Sequence, residues 1–505
     1  MKNILEWLED STVRYGQRNA CSDTEHTLTF EQLRHNAETA GSFFLANGVT
    51  KASPVGIYAE KGVGVLSAML GAVYAGGFYC ILDTRQPKER MDQILASLEP
   101  VIIVTDEEHK AEAEERFAGH PLCVIEDVLR TAVIQKEALA EARRKAQDTD
   151  PLYVNFTSGS TGTPKGVAVC HRSVIDFIPR FAGTFGINQD DVLANQAPFD
   201  FDVSVKDIYT MLYTGAHMQM VPRAYFSRPT DLMDLLYDCR ATVLTWAVSA
   251  LCFVSIMNGL DYKCPDTVHK VLFSGEIMPV KHLKKWKQYL PDTEYINVYG
   301  PTEITCNCTW HIVTDADIEA GEIPIGKAFD NEDVFLLDEE DRLVTEPGVP
   351  GEICVSGTCL ALGYYRNAEA TSRAFVQNPL NDRWPQRIYR TGDLAVYNED
   401  GDLLYKGRRD HQIKHLGHRI ELGEIEAQAQ KKEGVQQAAA LYDAKRKRIV
   451  LVYSGTADPK ELSGHLKEVL PAYMCPGKIL QKELMPLNKN GKIDRNLLKT
   501  EAGIA

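Results

Sequence analysis

The first 330 or so residues alternate short apolar runs with amphipathic stretches. Val101–Val104, Leu152–Phe156, Ala241–Thr245, Lys270–Phe273 and Tyr295–Val298 have the length and composition of buried strands. Stretches such as Lys281–Tyr289 between some of them carry helical spacing. Such alternation predicts an α/β arrangement with largely parallel sheets. From about Ile323 to Lys406 the texture changes. DVFLLD, GEICVSG, RIYRTGDLAVYN and LLYKG are short strands separated by Gly, Pro, Asn and Asp turns, as in a β-barrel-like module. The last hundred residues predict a small α+β unit. It holds a helix over Glu421–Gln430, strands over Val435–Tyr442 and Arg448–Ser454, a helix over Lys460–Leu470 and a turn at Asn490-Gly491. A hinge near Asp410, where polar residues separate the two textures, divides a core of residues 1–409, with its β-rich part at about 323–406, from a smaller domain of residues 410–505.

The longest apolar run, Val65–Leu82, approaches the length of a membrane span. Gly76-Gly77 interrupts it, so a buried helix followed by a buried strand is expected and no membrane span. The first twenty residues carry acidic side chains and no long apolar core, unlike a signal peptide, and a cytoplasmic location is expected. A length of 505 residues exceeds one hydrophobic core. The net charge of -15 argues against nucleic-acid binding, which needs a basic surface. The 12 cysteines are irregularly spaced without a CxxC pair and read as buried small hydrophobes. Cys306 and Cys308, if in a strand, would share a face.

Four segments carry candidate chemistry. Thr157–Val167, TSGSTGTPKGV, follows a predicted strand and offers glycines, hydroxyls and a lysine suited to a polyphosphate, although a surface loop is the alternative. It is not a Walker A loop, because Pro164 stands where that motif has glycine before its lysine. In Asn297–Glu303, NVYGPTE, an aromatic can stack on a purine, Thr302 can donate to phosphate and Glu303 can hold Mg²⁺; the alternative is a structural turn. Asp393 in YRTGD follows a glycine turn and suits a ribose diol, or an Asx-type turn. Asn488–Arg495, NKNGKIDR, presents Lys492 on a tight turn, as a mobile catalytic lysine or an ordinary solvated one.

Together and in this order, these segments resemble the adenylate-forming superfamily of nonribosomal-peptide adenylation domains, acyl-CoA synthetases and luciferases. Asn195–Tyr209, Gly351–Tyr364 and Gly407–Glu426 extend the resemblance over essentially the whole chain. Free-standing amino-acid adenylating enzymes, such as D-alanine–carrier protein ligases, look most similar. The resemblance implies ATP and Mg²⁺. Thr157, Ser158, Gly159, Ser160, Thr161, Gly162 and Lys165 would handle the phosphates, with Gly275, Glu276, Asn297 and Gly300 also at the nucleotide. Tyr299 would pack on adenine, Asp393 and Arg408 would hold the ribose, and Thr302 would touch the α-phosphate. Glu303, with Thr161, would hold the metal. Lys492 would bridge the substrate carboxylate and the nucleotide. After rotation about Asp410, Lys414–Gly417 would face a pantetheine thiol.

The same resemblance places Asp202 of FDVS on a substrate α-ammonium, which a buried carboxylate needs as partner. Val203, Lys206, Thr245, Leu272, Ser274, Val298, Cys306 and Asn307 map to the rest of the acyl pocket. Lys206 and Asn307 are polar where alanine would call for small apolar lining, so a polar or acidic side chain such as Glu, Asp or Ser is favoured over alanine. Lys206 would otherwise point to solvent or pair with Asp207. No carrier-domain signature follows Lys492, so the thiol acceptor is expected to be a separate pantetheinylated carrier protein. An acyl-CoA ligase of a non-amino acid and a catalytically silent ATP-binding scaffold are the alternatives.

Overall fold

The computed structural model describes residues 1–159, 163–409, 412–486 and 493–504. Their contacts divide the chain into two compact units. One comprises Met1–Thr84, Glu99–Asn155 and Val167–Gly407; the other comprises Arg85–Leu98, Phe156–Gly166 and Arg408–Ala505.

The first unit is built on two largely parallel sheets and one antiparallel sheet. The larger sheet runs Lys327–Ala328, Thr309–Ile312, Glu294–Tyr299, Lys270–Ser274, Val243–Ala247, Val192–Asn195, His217–Met220, Asn19–Ser22, Thr27–Thr29. Its six central strands are parallel, and its remaining strands are antiparallel. The second sheet centres on the parallel strands Phe78–Ile81, Pro54–Tyr58, Ile102–Thr105 and Leu122–Val124. The predicted β-rich module forms around Glu332–Leu337, Gly351–Gly357 and Arg387–Tyr397, which pair antiparallel.

Burial on both faces explains the near-continuous apolar runs of the parallel strands. The run that matched a membrane span in length is the helix Val63–Tyr74, buried at all but one of its positions, followed by the strand Phe78–Ile81. It packs on Phe30–Ala46, which starts with a capping box in which Thr29 and Gln32 satisfy each other's backbone N–H. Facing glycines bring the two helices close: a Cβ on Gly71 would lie 2.6 Å from the Ala40 Cβ, and one on Gly41 would lie 2.7 Å from the Tyr74 Cβ. Among the described residues no helix is long and apolar enough to cross a membrane. All 12 cysteines are free and none is exposed. Cys306 and Cys308 lie outside any strand, so the condition for a shared face is not met; the chain turns through positive φ at Thr305 and Cys306.

The second unit holds the hairpin Gln412–His415 with His418–Glu421, and the sheet Val435–Asp443, Arg448–Gly455, Lys478–Lys482. The helices Leu422–Lys431 and Pro459–Val469 complete its core. Within this unit a buried ion pair joins Arg90 to Glu424.

Glu332, at the start of its strand, has both carboxyl oxygens shielded from solvent. Burial foremost, and then the charge of Asp176, push its pKa well above the ordinary 4.5, against weaker opposition from Cys359 and Arg180. Above pH 4.5 the folded state therefore keeps a proton that the unfolded chain gives up, and stability falls as pH rises toward the raised value. The slope from this group is at most about 1.4 kcal/mol per pH unit. Glu332→Gln should remove it, so melting temperatures of variant and parent should diverge from pH 5 to pH 8 in the variant's favour. A constant offset across that range would show that Glu332 does not titrate this way.

Candidate active site

The central parallel strands of the large sheet end side by side at Asn195, Ala247, Ser274 and Tyr299. In open α/β sheets the carboxyl ends of the strands are where ligands bind, because the connecting loops converge there. The segments carrying Asp202, Gly275-Glu276 and Gly300–Asn307 leave from these ends.

Period-two alternation sorts the predicted pocket residues onto one face. Thr245 is in register with Leu272, Ala247 with Ser274, and Leu272 with Ile296, two residues before Val298. Leu272, Ile296 and Val298 share a core with Val205 and Ile208 of the helix Ser204–Thr214. Trp246, Val271, Phe273 and Tyr295 point the other way into a separate core. Thr245, Leu272, Ser274 and Val298 thus look toward the helix that carries Lys206.

Lys206 is wholly buried, which excludes the solvent-facing alternative, and its Nζ donates to Asn307 Oδ1 at 2.7 Å. Asp207 follows it, also buried, and accepts from Asn195 Nδ2 at 2.9 Å and from the Thr245 hydroxyl. Burial pushes the Asp207 carboxyl up to about 6, while the Asn195 and Thr245 hydrogen bonds and the charges of Lys206 and Lys61 pull it down. Lys206 and Asp207 thus act on each other through their charges, while the hydrogen bond of Lys206 goes to Asn307 rather than to Asp207. Asp202 accepts the Val205 N–H on its backbone oxygen at 3.0 Å, and its charge acts on Cys306. Val203 is half-buried; Cys306 and Asn307 are buried.

The turn after Tyr299 is strained. Thr305 and Cys306 adopt φ of 56° and 83°, rare for residues with a Cβ and costing on the order of 1–3 kcal/mol each. The Thr305 hydroxyl donates to Cys359 O at 2.6 Å, and Cys308 N donates to Tyr299 O at 2.8 Å, pinning the turn. It doubles back over Gly300, where a Cβ would lie 2.5 Å from Asn307 Cα and 2.7 Å from Cys306 O.

Of the predicted nucleotide residues of this unit, Tyr299 and Asp393 are in direct contact. The Tyr299 hydroxyl donates to Asp393 Oδ2 at 2.5 Å, and Tyr405 approaches Asp393 Oδ1 at 3.5 Å. Asp393 is buried, its N–H donating to Thr391 Oγ1 at 3.0 Å. Burial and the Asp393 charge push the Tyr299 phenol far up, so it stays protonated as a donor. The Asn297 side chain points away from the pocket face, donating to Pro324 O at 2.8 Å. Thr302 and Glu303 form one 3-10 turn, and Glu303 Oε1 accepts from the Tyr364 hydroxyl at 2.7 Å. Gly275 turns at φ 96°, with Glu276 half-buried beside it. Sequence reasoning missed Tyr364 and Tyr405. Both sit in segments it had noted, GEICVSGTCLALGY and LLYKG, but a phenol with a buried carboxylate partner has no signature of its own in a sequence.

Thr157, Ser158, Gly159, Lys165 and Arg408 belong to the second unit. There the Ser158 hydroxyl donates to Arg419 O at 2.7 Å and accepts from Glu421 N at 3.2 Å, and the Thr157 hydroxyl donates to Lys165 O at 3.4 Å. Arg408 ends the strand Leu403–Arg408. Ser160, Thr161, Gly162, Asp410 and Lys492 lie outside the described residues.

The family model for AMP-binding enzymes matches residues 8–365. The L-proline–[L-prolyl-carrier protein] ligase of Streptomyces coelicolor is 32% identical over 99% of this chain and 97% of its own length. Bacitracin synthase 1 of Bacillus licheniformis is 31% identical over 98% of this chain, which spans only 9% of that synthase. Among solved structures, holo-PA1221, an NRPS protein containing adenylation and PCP domains, superposes with a TM-score of 0.84 at 26% identity, covering 99% of this chain and 84% of its own. An o-succinylbenzoate CoA synthetase from Bacillus subtilis, at 20% identity, shares the fold with a TM-score of 0.84 over 99% of this chain and 98% of its own. The chain belongs to the AMP-binding enzyme family and is a ligase of the adenylate-forming superfamily.

Gly300→Ala should displace the 305–307 turn, since the obstacle is backbone. Weakening of AMP binding by about tenfold or more is expected, on the scale of the losses that small misplacements produce. Titration calorimetry on the folded variant checks it, and unchanged affinity would mean that the turn accommodates a methyl group.

Proposed function

We propose that this protein activates an amino acid with a polar, hydrogen-bond-accepting side chain as its aminoacyl-adenylate and transfers it to the phosphopantetheine thiol of a carrier protein. A substrate carboxylate oxygen attacks the α-phosphorus of ATP, the bond to the β-phosphate bridge breaks, and pyrophosphate leaves. The thiol sulfur then attacks the acyl carbon, and AMP leaves. Asp202 takes the α-ammonium. Lys492 bridges the two anions that must meet, offsetting their repulsion as charge builds on phosphorus. Glu303 offers the hard oxygen that Mg²⁺ prefers, on a turn fixed by Tyr364, with Thr161 as the second ligand. Bound Mg²⁺ neutralises phosphate charge. Thr302 contacts the α-phosphate, and Asp393, with Arg408, holds the ribose. Tyr299 lies against adenine while its hydroxyl orients Asp393. Rotation about Asp410 exchanges the face that delivers Lys492 for the face of Lys414–Gly417.

The named activity of the proline–carrier ligase supports the amino-acid and carrier reading. The side-chain preference rests on one observation: Lys206, wholly buried, on the wall shared with Thr245, Leu272 and Val298. Lys61 and Lys206 both act on Asp207, and Glu60 and Asp200 act on Lys61 as well. With Asp202 matched to the substrate ammonium, a side-chain carboxylate or carbonyl would give the buried Lys206 ammonium an acceptor beside Asn307 Oδ1.

ATP–pyrophosphate exchange across the amino acids should be strongest with Glu, Asp or Ser; strongest exchange with alanine or a large apolar residue would sink the polar preference, and exchange only with non-amino acids would favour a CoA ligase. Lys206→Met should cut kcat/KM for the preferred substrate by roughly tenfold to a hundredfold, the worth of about 1.5–3 kcal/mol for a hydrogen bond to a charged group. Lys492→Ala should abolish most adenylate formation in the same assay; full activity would remove Lys492 from its role.

A further inference from the structure

Lys61 belongs to none of the segments that carry the adenylating chemistry. It leads into the buried helix Val63–Tyr74 and reaches across to the end of the strand Val192–Asn195. Its Nζ lies 2.8 Å from Asn195 O, 3.0 Å from Asn195 Oδ1, 3.0 Å from Gln196 O and 3.3 Å from Ala197 O. Four oxygens around three ammonium protons make a complete cage, and all four come from three consecutive residues. Those residues are where the chain leaves the sheet and runs, five residues later, into Asp202.

The contact continues inward. The same Asn195 side chain that accepts from Lys61 donates to Asp207 Oδ2 at 2.9 Å. Asp207 also accepts from Thr245 and lies next to Lys206, which holds Asn307. One cation thus ties both ends of the Asn195–Asp207 segment: directly at 195–197, and through one amide at 207. The segment between them carries Asp202, Val203 and Lys206. Burial pulls the Lys61 ammonium down to about 7, and the charges of Asp207, Glu60 and Asp200 hold it up. Asn195 O also accepts from Val221 N at 2.9 Å, but an apolar side chain would take the lysine donor from the Gln196 and Ala197 carbonyls and from Asn195 Oδ1.

We propose that Lys61 is a positioning residue for substrate selection: by clamping residues 195–197 and, through Asn195, Asp207, it sets where Asp202 and Lys206 stand relative to the incoming amino acid. The inference rests on the reading that Asp202 and Lys206 contact that amino acid. A merely structural lysine would lower stability and scale every kinetic constant together. A positioning lysine acts on one substrate and spares the other, since the clamp is on the acyl side of the strand ends and touches none of the nucleotide residues.

The test is ATP–pyrophosphate exchange by the full chain as the parent, Lys61→Met and Lys61→Arg, with KM measured separately for the preferred amino acid and for ATP, and thermal unfolding of each. In Lys61→Met the amino-acid KM should rise about tenfold to a hundredfold, the range that small misplacements of binding groups produce. The KM for ATP should stay within about twofold, and discrimination against alanine should narrow. Lys61→Arg, which keeps the charge and several donors, should recover most of the amino-acid KM. An amino-acid KM for Lys61→Met within twofold of the parent, or parallel losses in both KM values, overturns the proposal. If Lys61→Met does not fold, Lys61→Gln, which retains a donor amide, carries the same comparison. A parent that exchanges with no amino acid defeats the underlying reading instead; a parent that does, with an unaffected Lys61→Met, defeats only the clamp.

Discussion

A parallel strand in a layered α/β protein is covered on both faces, so it has no room for polar side chains except near its ends. That constraint governs the first unit. Thr245, Leu272, Ser274 and Val298 lie on one face of the large sheet, and the charged and hydroxyl-bearing residues gather beyond the carboxyl ends at Asn195, Ser274 and Tyr299. Lys206 and Asp207 are the exception that tests the rule. They are charged groups carried into the interior on the first turn of a helix, and each finds partners: Asn307 for one, Asn195 and Thr245 for the other. A buried charge without such partners would cost more than the packing around it returns.

The same constraint explains what the sequence made legible. Buried parallel strands must be apolar throughout, and runs such as Lys270–Phe273 and Tyr295–Val298 announced themselves within a residue or two of the strands Lys270–Ser274 and Glu294–Tyr299. The doubly buried helix Val63–Tyr74 nearly passed for a membrane span for the same reason, and only the Gly76-Gly77 break told it apart. It was the resemblance that joined Tyr299, Thr302, Glu303 and Asp393 across distant segments, and of these Tyr299 and Asp393 meet in the fold. Periodicity alone could not have joined them.

What stayed hidden were contacts between residues far apart in sequence whose own neighbourhoods are ordinary. Tyr364 reaches Glu303 across 61 positions, and Lys61 reaches Asn195 across 134. A lysine before an apolar helix looks like a solvated lysine, and nothing local says that the Gln196 and Ala197 carbonyls and the Asn195 side chain will meet it. The shape of the 305–307 turn was hidden as well. Thr305 and Cys306 are poor residues for positive φ, so local preference argued for an extended chain, and tertiary contacts from Cys359 and Tyr299 overrule it.

That overruled preference limits how the pocket can drift. A residue held at φ 83°, as Cys306 is, cannot be exchanged freely: glycine, asparagine and aspartate enter that backbone state readily, and β-branched residues do not. On the proposed reading that Cys306 lines the acyl pocket, a mutational walk through position 306 has few single steps open to it. Positions 272 and 298, on regular strand backbone, have many. Divergence in substrate choice should run along the strands sooner than through the turn, and a library built to redirect the enzyme gains most by spending its diversity there.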